Sequence, residues 1–207
     1  MLTFKCRFTF RTRRRRCSVK PQGAILGISL LLLTVLVLVV PACTTKSTGP
    51  SLVERGKYLV MAGGCNDCHS PKIFTPADPI PDTTRLLSGY PANSQLPAIP
   101  KGVLGPTQWG AITTNDLTAW AGPWGVSFAY NLTPDMKTGI GGWPEEMFIK
   151  TLRSGKFMSM SRDILPPMPW QSIGQMTDDD LKAIFAYLKS LPPIENPIPA
   201  PLPPPGK

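Results

Sequence analysis

Cys65-Asn66-Asp67-Cys68-His69 is a C-x-x-C-H pentapeptide that occurs once in this 207-residue chain. Several chemistries use two cysteines at this spacing. A redox dithiol is expected beside a βαβ pattern, and none surrounds these residues. A structural zinc site needs four ligands, and no second Cys or His pair follows. A disulfide joining Cys65 to Cys68 or to Cys43 is disfavoured by the adjoining His69. Covalent attachment of a c-type haem uses all three residues. The thiols add to the two vinyl groups as thioethers. Two intervening residues let both sulfurs reach one edge of the macrocycle, and the imidazole that follows lies under the iron. The cofactor implied is one covalent haem c held by Cys65, Cys68 and His69.

His69 is the only histidine, so two histidines of one chain cannot bind one iron. The sixth position falls to a Met, another side chain or solvent. Met61, Met136, Met147, Met158, Met160, Met168 and Met176 lie beyond the N-terminal segment. Met61 is too near the motif to reach the opposite haem face easily, and Met147 falls on the apolar face of an expected helix. Met168 lies in Leu165-Pro166-Pro167-Met168-Pro169-Trp170. Prolines on both sides fix φ, which predicts a stiff, extended loop able to hold a weak thioether ligand. Met168 is the leading candidate, with Met158, Met160 and Met176 as alternatives. The other ring N–H of His69 calls for a backbone carbonyl, for which Pro76, Pro79 and Pro81 are candidates.

Three helices are expected around these residues. Ser51-Leu52-Val53-Glu54 has the form of a capping box. It opens a helix over about 51–62 with Leu52, Tyr58, Leu59 and Met61 as apolar positions and Gly63-Gly64 as its stop. Trp143-Pro144-Glu145-Glu146 opens a second helix, with Pro in the first turn and acids behind it. Thr177-Asp178-Asp179-Asp180 opens a third, in which Leu181, Ile184, Phe185 and Leu188 form a stripe at helical spacing. Residues 70–142 are rich in Pro and Gly and lack a sustained period, so loops with short helical turns are expected. A long irregular stretch suits a chain wrapped around a large bound group. Trp109, Trp120, Trp124, Trp143, Trp170 and Phe128 are candidate pocket walls, against the alternative of ordinary loop packing. From Pro192 to Lys207 eight of 16 residues are Pro, which predicts an extended, solvated spacer.

The net charge of +9 suggests a nucleic-acid or lipid binder until its distribution is examined. Residues 1–42 hold eight Lys or Arg and no acid, leaving 14 basic and 13 acidic residues from Cys43 onward. The body is therefore nearly neutral and offers no basic patch for nucleic acid. Ala24 to Val40 is an uncharged run of 17 residues, about 26 Å long as a helix and close to the hydrocarbon thickness of a bilayer. Arg13 to Arg16 and Lys20 precede it, which keeps the N-terminus in the cytoplasm and sends the body outside. Val40-Pro41-Ala42-Cys43 resembles a lipoprotein signal, with Cys43 as the lipid attachment residue. A retained anchor and ordinary cleavage are the alternatives. All three predict an extracytoplasmic, periplasmic-side location. The domain organisation expected is a leader over 1–42, a tether over 43–50, a folded domain over 51–193 and a Pro-rich tail over 194–207.

Several segments resemble a known family. C-x-x-C-H after a short helix, a Met in a Pro-rich loop and a last helix ending Tyr187-Leu188-Lys189-Ser190-Leu191-Pro192 resemble class I cytochrome c domains. Gly56-Lys57-Tyr58-Leu59, Asn131-Leu132-Thr133-Pro134-Asp135, Gly139-Ile140-Gly141-Gly142-Trp143 and Leu181–Leu188 are similar to bacterial monohaem cytochromes and to the cytochrome subunits of membrane-bound dehydrogenases. The resemblance covers about residues 51–193. It implies an all-α fold wrapped around one haem, with Cys65 and Cys68 as thioether attachments, His69 as proximal ligand and Met168 as distal ligand. It implies an electron carrier rather than an enzyme. The redox partner would be a dehydrogenase, a cytochrome complex or a terminal oxidase. The alternative is a haem subunit of an enzyme complex, or a haem sensor whose distal site opens. The insertion over 73–130 departs from minimal cytochromes c.

Overall fold

A serine whose hydroxyl accepts from the backbone three residues on, and a glutamate that returns the bond, start the first helix. Ser51 Oγ accepts from Glu54 N at 3.2 Å and Glu54 Oε2 accepts from Ser51 N at 2.8 Å. The computed structural model describes residues 49–159 and 162–204. In it helix α1 runs Leu52–Ala62, and a one-turn helix α2, Cys65–His69, follows after Gly63-Gly64. Helix α3 spans Glu145–Ser154, with Pro144 as its N-cap and left-handed Gly155 as its C-cap. A short helix α4 covers Trp170–Ile173. Helix α5 spans Asp178–Ser190, capped by Thr177, whose side chain accepts from Asp180 N.

α1 and α5 pack against one another, with α3 against α5. The crossing is close because Gly56 has no side chain. A Cβ there would stand 1.8 Å from the carbonyl oxygen of Ala183 and 2.8 Å from Tyr187 Cβ. The buried positions of α1 are Gly56 and Val60, one helical turn apart. Leu52, Tyr58 and Met61, expected on that face, are more than half exposed. The need for a close crossing overrides bulk there: the small residue faces α5 and the larger ones turn outward. On α5 the expected stripe is the observed one, since Leu181, Ile184, Phe185 and Leu188 are all buried. Val60, Leu87, Ile140, Phe148, Leu152 and these four make one core, with the rings of Phe148 and Phe185 5.2 Å apart. Arg55 pairs with Asp180 at 2.9 Å and Arg153 with Asp178 at 2.7 Å on the rim.

The expectation of an all-α domain is corrected by residues 70–142. Strands β1 (Lys72–Phe74) and β2 (Pro79–Pro81) form an antiparallel hairpin with Ile73 opposite Ile80. Strands β3 (Ile112–Thr113), β4 (Ala119–Gly122) and β5 (Gly125–Phe128) form a three-stranded antiparallel sheet with Ala121 opposite Val126. The strands are two to four residues long, too short for alternation to stand out against the Pro and Gly around them. The architecture is mixed: helices with two small sheets.

The C-terminal tail is extended but does not behave as a free spacer. Ile194 N donates to Thr133 Oγ1 at 3.1 Å, and Asn131 Nδ2 donates to Ile194 O at 2.8 Å. Asn196 is buried, and Leu202 exchanges two backbone hydrogen bonds with Val126, each at 2.9 Å. Proline keeps this strap extended, while its few N–H groups and one Asn find partners on the body. Among the described residues no helix is long and apolar enough to cross a membrane. The apolar run 24–40, Cys43 and Met160 lie outside the described residues.

Candidate functional site

Cys65, Cys68 and His69 fall within the single turn of α2, which left-handed Gly64 turns away from α1. His69 is 8% exposed. Its Nδ1 donates to the carbonyl of Tyr130 at 2.8 Å, so the carbonyl sought among Pro76, Pro79 and Pro81 comes instead from 61 residues downstream. Burial lowers the imidazole pKa, against the opposing pull of the Tyr130 carbonyl. The ring is therefore a neutral imidazole with Nδ1 protonated. Nε2, the lone pair left over, makes no hydrogen bond among the described residues.

Both thiols are half-buried and free of any disulfide. Burial pushes Cys65 up to about 11, with Asp67 and Cys68 adding to the rise. Burial likewise raises Cys68, to which Asp67 contributes. The two sulfurs are thus neutral thiols at physiological pH. Lys72 lies against the other end of the turn. Its Nζ donates to the carbonyls of Asn66 and Asp67 at 2.9 Å and of Ser70 at 2.6 Å. The ammonium thereby satisfies carbonyls at the helix C-terminus, where a cation suits the helix dipole. Its own pKa falls because it is partly desolvated there.

The methionines separate by environment. Met61, Met136 and Met158 are exposed. Met168 and Met176 are half-buried and pack on the same core that Cys65 and Tyr130 border. The loop carrying Met168 is held on both sides. Ser127 Oγ donates to Pro166 O at 2.5 Å, and Pro169 O accepts the first turn of α4 from Ser172 N and Ile173 N, both at 3.1 Å. Pro166-Pro167 form a turn rather than the extended chain expected. The stiffness survives by anchoring instead of by extension.

The aromatic residues divide in the same way. Tyr130, Trp143 and Phe157 form a cluster with centroids 4.9 to 6.1 Å apart, and the Arg162 guanidinium stands 4.5 Å above the Phe157 ring. Trp120 donates to Leu117 O at 2.8 Å and adjoins Cys68. Trp124 folds over Gly122, and Trp170 over Gly155. Phe128 meets Tyr90 at a tilt, with centroids 4.8 Å apart. Trp109 is 68% exposed and walls nothing. Sequence reasoning had no signal for Tyr130, whose contribution is a backbone carbonyl, or for Lys72 and Asn196, whose partners are backbone groups.

The donor set fits a c-type haem. Two unpaired thiols and an imidazole with one nitrogen fixed and the other free lie in one helical turn. Among the described residues no group of three or more His, Cys, Asp or Glu side chains could hold a bare metal ion.

Comparison with known proteins points the same way. No family model matches the chain. It is 31% identical over 160 residues to the gluconate 2-dehydrogenase cytochrome c subunit of Pantoea cypripedii, covering 77% of this chain and 27% of that protein. It is 28% identical over 148 residues to the fructose dehydrogenase cytochrome subunit of Gluconobacter japonicus, covering 71% of this chain and 23% of that one. It is 25% identical over 176 residues to the cytochrome c subunit of the quinone alcohol dehydrogenase of Gluconobacter oxydans (strain 621H), covering 85% of this chain and 28% of that one. The chain is thus homologous to cytochrome c subunits of dehydrogenases. It spans about a quarter of the length of each of these relatives.

Proposed function

We propose that this chain is an electron-transfer haem subunit with a class I cytochrome c domain. One haem c is attached through Cys65 and Cys68, with His69 and Met168 as axial ligands. The observation that carries this reading is the state of His69: buried, with Nδ1 committed to the Tyr130 carbonyl and Nε2 unpartnered in the same turn as two free thiols.

A haem so bound supplies a one-electron couple, and Met/His ligation sets its potential high among axial pairs. The chain's own residues supply the rest. The Tyr130 carbonyl fixes the tautomer and plane of His69. The anchored loop 165–169 would offer the Met168 thioether to the haem, and with both His69 and Met168 bound the haem would supply electron transfer rather than substrate chemistry. The apolar core against Cys65 and Met168 keeps water from the site and disfavours the more highly charged oxidised state.

The redox partner proposed is a dehydrogenase, by analogy with the relatives. The body is placed on the periplasmic side and tethered to a membrane through lipidated Cys43 or a retained segment 24–40, a reading that rests on the basic leader and the apolar run.

Expression of the full chain with a haem-attachment system tests the reading. One haem should remain bound through denaturation, and the reduced protein should bind carbon monoxide slowly. The ferric spectrum should show the weak sulfur-to-iron charge-transfer band, and Met168→Ala should remove it. Survival of the band in Met168→Ala would transfer the role to another Met. Rapid carbon monoxide binding by the parent protein would favour the sensor alternative.

A further inference from the structure

We propose that Asn196, with Asn131, is a positioning residue for the haem site: through it the C-terminal strap sets the carbonyl that orients His69. This inference rests on the reading of His69 as a haem ligand given above.

The chain of contacts is short and fully bonded. The Asn196 side-chain amide donates to Ser88 O at 2.6 Å and to Tyr90 O at 2.9 Å, and its oxygen accepts from Ala92 N at 3.0 Å. The two carbonyls it grips flank Gly89. Gly89 has φ +80, and a Cβ there would stand 2.5 Å from Ala129 O and 2.8 Å from both the C and O of Tyr130. Backbone thus presses directly on the peptide whose oxygen receives the His69 N–H. Gly89 N also donates to His69 O at 2.8 Å, so this one residue touches both partners of that hydrogen bond. Asn131 holds the other side. Its amide donates to Ile194 O at 2.8 Å and to Thr138 Oγ1 at 3.1 Å, and its oxygen accepts from Thr133 N at 3.0 Å. Thr138 Oγ1 also accepts from Asn196 N at 2.9 Å. The Tyr130 peptide therefore lies between two segments that meet directly through Tyr90 N to Ala129 O at 3.0 Å and Leu132 N to Leu87 O at 2.8 Å, and that the strap ties a second time.

Asn131 is fully buried and Asn196 is 4% exposed. Two asparagines with their donors and acceptors spent in the interior, on backbone groups and on the hydroxyls of Thr133 and Thr138, make a directional device, because each bond fails if the backbone shifts. A purely apolar strap of the same length would cover the surface but would not fix a carbonyl's direction. The direction matters because a hydrogen bond from Nδ1 raises the basicity of Nε2 as a ligand. A weaker bond makes a weaker ligand, favours the reduced iron and raises the midpoint potential.

The test uses the full-length haem-loaded protein. Asn196→Ala should raise the midpoint potential and speed exchange of the His69 Nδ1 proton in the ferrous protein by about tenfold or more. Leu202→Pro removes the Leu202 N–H that Val126 O accepts. It should lower thermal stability and leave both readings where they were. If Asn196→Ala fails to accumulate, Thr138→Val, which removes one acceptor shared by the two asparagines, is read in the same way. A loaded Asn196→Ala or Thr138→Val protein with parental potential and parental exchange overturns the proposal, as does a Leu202→Pro protein that shifts both equally. A parent protein that carries no covalent haem would instead overturn the reading of the site, and this inference with it.

Discussion

The helical frame and the loop-and-strap half of this molecule are held together by different physics. In the frame, α1, α3 and α5 meet through apolar side chains at helical spacing and through one close crossing at Gly56. In the other half, between Ser70 and Thr138 and again from Ile194 to Leu202, two small sheets are tied together and to the body by single side-chain-to-backbone hydrogen bonds. Ser70 Oγ accepts from Leu87 N at 2.8 Å, and Thr133, Thr138, Asn131 and Asn196 each bind backbone from a segment remote in sequence. Burial is additive and tolerant of position. A buried polar bond is directional, and costs most when one partner is left without the other. The frame supplies stability, and the strap half decides where a carbonyl points.

That contrast can be broken at graded points. Phe185→Ala removes a buried ring from the frame and should cost about 4 kcal/mol in chemical denaturation. Gly56→Ala should cost about 3 kcal/mol despite adding only a methyl group, because the neighbour at 1.8 Å is backbone and cannot rotate away. Gly56→Ala should leave the midpoint potential of any fully loaded protein close to that of the parent. Thr133→Val leaves Ile194 N without its acceptor inside the protein. About 2 kcal/mol should be lost, together with protection of the strap amides in hydrogen exchange. Lys72→Met strips a cation from three carbonyls around α2. The stability lost should be only about 1 kcal/mol, since the three carbonyls lie at the edge of the fold, where water can replace the ammonium. The midpoint potential should fall, because a positive charge near the site opposes oxidation. A Lys72→Met protein with an unchanged potential would remove Lys72 from the electrostatics of the site.

The parts legible in the sequence are those with short-range rules. The Ser51–Glu54 capping box, the Thr177 cap and the Leu181–Leu188 stripe each depend on residues three or four apart, and each is found as expected. The burial of α1 was misread because hydrophobicity points to Tyr58 and Met61, whereas the crossing selects the residue with the least bulk, Gly56. The small sheets were missed because strands of two to four residues carry too few alternations. The tail was read as solvated because proline content reports conformation, not contact. Its Asn196 alone makes four hydrogen bonds to the body.

By itself the sequence determined that two thiols and one imidazole share a helical turn, that no second histidine can join them, and which helices frame them. Local spacing is sufficient for each of these. Only the tertiary structure decided that Tyr130 supplies the carbonyl for His69, that Met168 and Met176 alone among the loop methionines described pack on the core beside Cys65, and that the C-terminal strap bonds to the segments on either side of Tyr130. These depend on side chains and backbone carbonyls up to 108 residues apart being brought within 3 Å. A backbone carbonyl is the same at every position, so nothing in the residue names distinguishes the one that folding will deliver.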